Sequence, residues 1–250
     1  MQVAITIDFE HDCPPYLETY RGIEQGTPRL LESLEAHGIR ATFFCTGDVA
    51  RRYPRIVGRI LDAGHELGCH GDTHRRFSGL SLDEARNEIS RATETLRRFY
   101  PVSSFRAPNL DLPRSCVLLL RDAGYSLDSS QGRHKLGSYF VAPHVVDDVW
   151  RIAASTSPLV LRLPEPVRDA LLSCLKSPVV LYAHPWEFID VTKENIRVDC
   201  RWGTGEAAVR KLDTAIEYFQ RRGAEFATMA ELPAKLAIRT RAHATPEVSG

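Results

Sequence analysis

The sequence lacks an excess of charge of either sign: Lys and Arg number 32, and so do Asp and Glu. Nucleic-acid binders and polybasic membrane anchors carry a cationic surplus, so this balance argues against both. No apolar run approaches the roughly 20 residues that a membrane-spanning helix needs. The start, Met1-Gln2-Val3-Ala4-Ile5, has neither the cationic head nor the apolar length of a secretory leader, and the expectation is a cytoplasmic location. The six cysteines include no C-x-x-C pair, and their spacing matches no zinc finger or disulfide framework. Cys45, inside the apolar run 41–46, reads as a buried reduced thiol. No G-x-G-x-x-G follows the first strand, which weighs against dinucleotide binding. Gly/Ser-rich linkers are missing too, so residues 1–238 read as one domain, followed by a non-periodic, mobile tail over 239–250.

What is present is an ordinary globular composition, 43% hydrophobic and 26% charged, in a chain of 250 residues that can bury a sizeable core. Short apolar runs at 3–8, 39–45, 66–69, 103–106, 125–128, 145–152, 178–183 and 225–227 read as strands. Between them, helical periodicity is expected over 27–37, 54–63, 81–99, 115–123, 166–175, 206–222 and 229–238. Alternation of this kind implies parallel strands joined by crossover helices, either a doubly wound sheet or a (β/α) barrel. In a barrel, site residues come from the C-terminal ends of different strands.

Five strand ends carry polar signatures. The first reads Asp8-Phe9-Glu10-His11-Asp12; in an extended chain Asp8 and Glu10 point to one side and Phe9 to the other. Such a pair can hold a cation, serve as ligand plus general base, or be a solvated acidic loop. After the third strand comes His70-Gly-Asp-Thr-His74, whose imidazoles share a face if the turn is helical. Alone it is compatible with surface histidines; with a carboxylate from another strand end it makes the ligand set of a hydrolytic metal site. His65 falls outside that spacing and reads as a helix-end histidine. Arg106, in Arg106-Ala-Pro-Asn109, can fix a carboxylate through a bidentate contact or be a surface arginine. Asp128 either orients a histidine or caps the next segment. His184, in His184-Pro-Trp-Glu187, is either a general acid or a satisfied core histidine, and Trp186 is placed to wall a pocket.

Taken together, in this order and over residues 3 to 235, the five signatures resemble the NodB-type polysaccharide deacetylases, carbohydrate esterase family 4. The segment Thr42-Phe-Phe44 before Thr46-Gly47 is similar to that family's second strand. The resemblance implies an irregular (β/α) barrel of about seven parallel strands. It implies Asp8 as general base, His70 and His74 as metal ligands, Arg106 as the residue orienting the base, His184 as general acid and Asp128 as the aspartate tuning it. Three departures stand out. Asp8-Phe9-Glu10 replaces two adjacent aspartates, which points to Glu10 as the third ligand with Asp12 as its rival. Gly71 stands where Ser or Thr follows the first metal histidine, and Asn109 where Gly follows Arg-x-Pro.

The resemblance implies a hydrolase of carbon–nitrogen bonds that uses a divalent metal, zinc first with cobalt or nickel as substitutes. Its expected substrate is an N-acylated, most simply N-acetylated, amino sugar or another small amide. The His-Pro-Trp-Glu ending looks more like the cytoplasmic, small-substrate branches. The alternatives are an allantoinase-like hydrolase of a cyclic ureide and a non-catalytic carbohydrate-binding module. No nucleic-acid partner and no membrane span are expected. Loops 13–26, 129–144 and 187–205 are expected to shape the substrate site. Trp202 and Tyr139 either stack on a sugar ring or pack.

Overall fold

The structure, a computed structural model, describes residues 1–135 and 141–243, with side chains as far as residue 237. Its strands are β1 (Gln2–Phe9), β2 (Thr42–Cys45), β3 (Glu66–Cys69), β4 (Ser104–Phe105), β5 (Leu127–Asp128), β6 (His144–Val146), β7 (Val149–Arg151), β8 (Val179–Ala183) and β9 (Glu225–Phe226). They form one sheet in the order β6-β7-β5-β4-β3-β2-β1-β8, with β9 on β1, and every pairing except β6–β7 is parallel. The sheet closes where Ser155, which follows β7, meets Val180 of β8. Ser155 N–H donates to the Val180 carbonyl at 2.7 Å, and the Val180 N–H donates to Ser155 Oγ at 2.9 Å. The sheet is therefore an irregular (β/α) barrel, closed on one side by a pair of hydrogen bonds instead of a full ladder.

Crossover helices follow the strands: α1 (Thr27–Ala36), α2 (Gly47–Arg52), α3 (Pro54–Asp62), α4 (Leu82–Leu96), α5 (Val117–Asp122), α6 (Pro158–Leu161), α7 (Glu165–Ser173), α8 (Val198–Arg201), α9 (Glu206–Arg221) and α10 (Leu232–His243). The start of α4 is set by Ser81 and Glu84, which cap each other's backbone N–H groups at 3.3 and 2.9 Å. Among the described residues no helix is long and apolar enough to cross a membrane.

Three expectations change. The single strand expected over 145–152 is a hairpin, because Asp147 and Asp148 take left-handed φ values of 50° and 64° and reverse the chain. Two adjacent left-handed residues suit a tight hairpin turn, and Asp tolerates that region better than most side chains. The short helices α2, α6 and α8 and the π-helical turn Gly22–Gly26 have too few residues to show a period and were not expected. The last helix, α10, runs to His243, into the stretch expected to be tail; residues 244–250 and Tyr139 lie outside the described residues.

Strand parity sorts the side chains. Val3, Ile5, Ile7 and Phe9 of β1 pack with Phe43, Cys45, Leu67, Cys69, Phe105, Leu181 and Ala183 into the large cluster shared with the helices. The alternate residues Ala4, Phe44, Leu127 and Val180 form the barrel interior with Ile152, Met229 and Leu232. All eight residues of β1 are buried, as expected for a central strand covered on both faces. On the inward face, Thr6, Asp8 and Arg106 follow this small apolar floor toward the C-terminal ends. A bulkless position makes room for them: a Cβ on Gly68 would lie 2.6 Å from the Phe44 ring and 2.8 Å from Ser104 Oγ. The Phe44 ring in turn carries the Arg106 guanidinium at 4.3 Å. Gly68→Ala should therefore lower unfolding stability by about 1–3 kcal/mol in denaturant titration, the usual range for overpacking; an unchanged midpoint would show that Phe44 is free to move.

Candidate functional site

The inward-facing strand ends open into a cleft of about 310 Å³ lined by Asp8, Glu10, His74, Tyr182, His184 and Trp186, among others. Arg106 is wholly buried below it and donates from Nη1 to Asp8 Oδ1 at 2.7 Å. The contact is one bond and not the expected bidentate pair, because the other donors are committed elsewhere. Nη1 also reaches Thr6 Oγ1 at 2.8 Å, Nη2 reaches Ser129 Oγ at 2.9 Å, and Nε reaches the Ser129 carbonyl at 3.3 Å. The guanidinium is thereby fixed by β1 and the end of β5. Asp8 Oδ2 is left facing the cleft, 3.9 Å from His184 Nε2.

Glu10, His70 and His74 present one ligand atom each, all within 4.8 Å of one another. Glu10 Oε2 lies 3.0 Å from His70 Nε2 and 2.6 Å from His74 Nε2. His70 Nδ1 is 2.8 Å from the Arg106 carbonyl, which can only accept, so Nδ1 carries a proton and Nε2 is the atom turned to Glu10. The turn between the histidines is not helical, and a non-helical loop brings the two rings together. Gly71 and His74 have φ values of 75° and 60°, and the loop is pinned from outside by Glu88 of α4. Glu88 accepts from the N–H groups of Asp72 and Thr73 at 3.0 and 2.9 Å and from Thr73 Oγ1 at 2.6 Å. Burial alone would push the Glu10 carboxyl up, but the charge of His74 and the bonds from both histidines hold it well below the usual carboxylate range. Burial likewise depresses His74, and the facing Glu10 outweighs it and draws a proton onto the ring. A buried carboxylate and two imidazoles that gather positive charge between them fit a borderline divalent cation such as zinc.

Asp12, the expected rival to Glu10, is turned away. Its oxygens accept from Thr19 Oγ1 at 2.6 Å, Arg21 N–H at 2.8 Å and Gly22 N–H at 2.9 Å, so it caps the loop and the π-helical turn. Asp128 does not orient His184. In the register Ser104↔Leu127 and Phe105↔Asp128, Leu127 faces the interior and Asp128 the helix side. There it pairs with Arg151 Nε at 2.5 Å and accepts from Ser130. Burial raises its pKa, with Arg151 opposing.

The carboxylate at His184 is Glu187, which sequence reasoning quoted and did not use. A 3-10 turn over Pro185–Phe188 brings its Oε1 to 2.7 Å from His184 Nδ1. Glu187 Oε2 is paired with Arg162 Nε at 3.2 Å, and both partners are buried. The available signal was the i, i+3 spacing of His and Glu after a helix-starting proline. Trp186 stacks on the His184 ring, 5.3 Å between centroids. The turn is clamped from behind, where a Cβ on Gly22 would sit 2.4 Å from the Trp186 nitrogen. Asn109 and Lys135 line the cleft opposite; Lys135 Nζ donates to the Asn109 carbonyl, and no sequence pattern announced it. His65 packs away from the site, its Nδ1 accepting from Ala41 N–H at 3.1 Å, and burial lowers its pKa to about 4. Trp202 is 45% exposed and does not line the cleft.

His184 holds its proton strongly. Burial works against the charge, but the bond to Glu187 and the charges of Glu10, Glu187 and Asp8 raise its pKa from 6.5 to about 9. An unfolded histidine releases its proton near 6.5, so the stabilising contribution is complete below that pH and fades as pH rises to about 9. In the metal-free protein, NMR titration should place the His184 transition well above 6.5. Glu187→Gln should lower it, whereas Asp128→Asn should leave it in place; the opposite pattern would return the tuning role to Asp128.

Comparison with known proteins agrees with this geometry. Residues 2–127 match the family model described as polysaccharide deacetylase. The chain is 40% identical over 72 residues to the peptidoglycan-N-acetylglucosamine deacetylase of Bacillus cereus, covering 29% of this chain and 26% of that protein. It is 32% identical over 80 residues to the peptidoglycan-N-acetylmuramic acid deacetylase PdaA of Bacillus subtilis, covering 32% of this chain and 30% of that one. These matches thus span about a quarter to a third of the length of the curated relatives. A solved structure of a polysaccharide deacetylase homologue from Mycobacterium smegmatis superposes with a TM-score of 0.67 at 22% identity, covering 100% of this chain and 93% of the other, and shares the fold. With half of its length matching the family model and the strand-end residues drawn to one cleft, the chain belongs to the polysaccharide deacetylase family.

Proposed function

We propose that the protein hydrolyses the N-acetyl group of an amino sugar within a glycan, with a divalent metal held by Glu10, His70 and His74. The observation that carries this reading is a convergence: His184 Nε2 lies 3.9 Å from both Asp8 Oδ2 and Glu10 Oε1. Candidate base, candidate acid and candidate ligands thus face one point in the cleft. Bound there, the metal would supply Lewis acidity, polarising the acyl carbonyl and making water acidic enough to attack near neutral pH.

The chain's own residues perform the proton transfers. Asp8, its charge countered by Arg106, accepts the proton of the attacking water at Oδ2. His184 is oriented through Nδ1 by Glu187 and delivers the proton of Nε2 to the amine nitrogen as the carbon–nitrogen bond breaks. Acetate and a free amino sugar result. Tyr182 and Trp186 flank the His184 ring and restrict its rotation, at centroid distances of 5.8 and 5.3 Å. A glycan, and not a free small amide, is supported by the open cleft and by the relatives named as peptidoglycan deacetylases.

Acetate release from N-acetylglucosamine oligomers and from peptidoglycan tests the proposal. Asp8→Asn should lower turnover by about 10²–10⁴ while still binding one metal ion, and His184→Ala should do the same. Glu10→Gln should instead weaken metal binding. Wild-type turnover by Asp8→Asn would remove the assigned base, and absence of acetate from every glycan would remove the substrate class.

A further inference from the structure

The six cysteines fall into distinct environments. Cys45 and Cys69 are cross-strand neighbours in the large cluster, fully buried, and burial pushes both thiols up, so they are sealed from oxidants. Cys116 is buried near α5, and Cys174 is exposed at the end of α7. Cys13 and Cys200 differ from these four. They are 187 positions apart in the sequence, both line the cleft, and their thiols face each other. They pack in a small apolar group with Trp186, Ile189, Val191 and Ile196. The Cys13 backbone is held at a φ of 44°, with its carbonyl accepting from Tyr16 N–H at 2.9 Å, so its side chain is aimed by a rigid loop.

We propose that Cys13 and Cys200 are a redox-active pair that closes to a reversible disulfide on the cleft wall by exchange with a small soluble disulfide. The Cys200 thiolate attacks one sulfur of that disulfide, breaking its S–S bond and releasing one small thiol. Cys13 gives up its proton to solvent and attacks Cys200 Sγ, releasing the second. Two protein thiols are oxidised and one small disulfide is reduced to two thiols. The order of attack follows from exposure: Cys200 is partly open at the cleft, whereas Cys13 is 3% exposed. The Cys13 thiol, Arg197 and Arg162 lower the Cys200 thiol against the opposing burial, which raises its thiolate fraction.

The link reaches the site through one guanidinium. Arg162 Nη1 donates to the Cys200 carbonyl at 3.1 Å, and its Nε pairs with the Glu187 carboxylate that holds His184. Closing the disulfide therefore ties the loop after β1 to the segment that anchors Arg162. None of this depends on the deacetylase reading, since it concerns the thiols alone.

The test uses the zinc-supplemented 250-residue chain, incubated with oxidised dithiothreitol or glutathione disulfide. Free thiols are counted by maleimide mass tagging, and linked peptides are mapped. The expected result is loss of two thiols, one peptide joining Cys13 to Cys200, full reversal by dithiothreitol and a melting temperature raised by a few degrees. Cys13→Ser should trap a small-thiol adduct on Cys200, and Cys200→Ser should leave Cys13 unmodified. Adducts on Cys174 alone, unlinked adducts on both cleft cysteines, or six free thiols after prolonged incubation would each overturn the proposal. The wild-type peptide map decides the matter even if a variant folds poorly.

Discussion

A buried guanidinium organises the interior of this barrel. Arg106 is fully out of solvent, and a charge in that position is tolerable only if it is paired and hydrogen-bonded. Asp8 supplies the countercharge, Thr6 and Ser129 take the remaining bonds, and the rings of Phe44 and Tyr182 lie against the cation at 4.3 and 5.4 Å. The pair therefore joins β1, β4 and the end of β5, and removing either partner would strand a charge inside the protein. One consequence is functional. Asp8 is held by a single bond through Oδ1, which leaves its second oxygen turned to the cleft.

The same inward face carries the metal candidates because of parity. Asp8 and Glu10 are two residues apart at the end of one strand, and Gly68 and His70 at the end of another, so the pleat sends each pair to the same side. An apolar layer of Ala4, Phe44, Leu127 and Val180 lies beneath them in the interior. Polar groups gather at the C-terminal strand ends, where the backbone opens to the cleft, and again at the opposite end, where Glu66 accepts from Thr42 and Ser104. The result is an apolar middle layer under a charged rim, the setting in which carboxylates and imidazoles perturb each other most strongly. The opposed shifts of Glu10 and His184 follow from that setting.

Parity also explains the two corrections. Asp128 stands one position from the inward-facing Leu127, so its side chain is directed to the helix side, where Arg151 of the neighbouring strand neutralises it. The histidine at the end of β8 consequently takes its carboxylate locally, from the 3-10 turn that Pro185 begins. Glu187 is in turn tied to Arg162, so the orientation of His184 is passed to a buried arginine of the cleft wall. The carboxylate against His184 thus comes from the histidine's own turn and not from a neighbouring strand.

The sequence by itself determined the alternation of strands and helices, the parallel α/β class and the strand ends that hold polar groups. These depend on short-range periodicity and on the preference of parallel strands for crossover helices, and both are written in consecutive residues. It also determined that Asp8, Glu10, His70, His74, Arg106 and His184 are the polar residues of interest, since each follows an apolar run. Only the tertiary structure decided the partners. It chose Glu10 over Asp12, because Asp12 is spent on the N–H groups of the Arg21–Gly22 turn. It exchanged Asp128 for Glu187, brought Glu88 from α4 to pin the histidine loop and set Cys13 beside Cys200. Those choices depend on register, on which face of a pleat a residue occupies and on contacts as distant as 187 positions, and of them only the Glu187 contact is written in a local spacing.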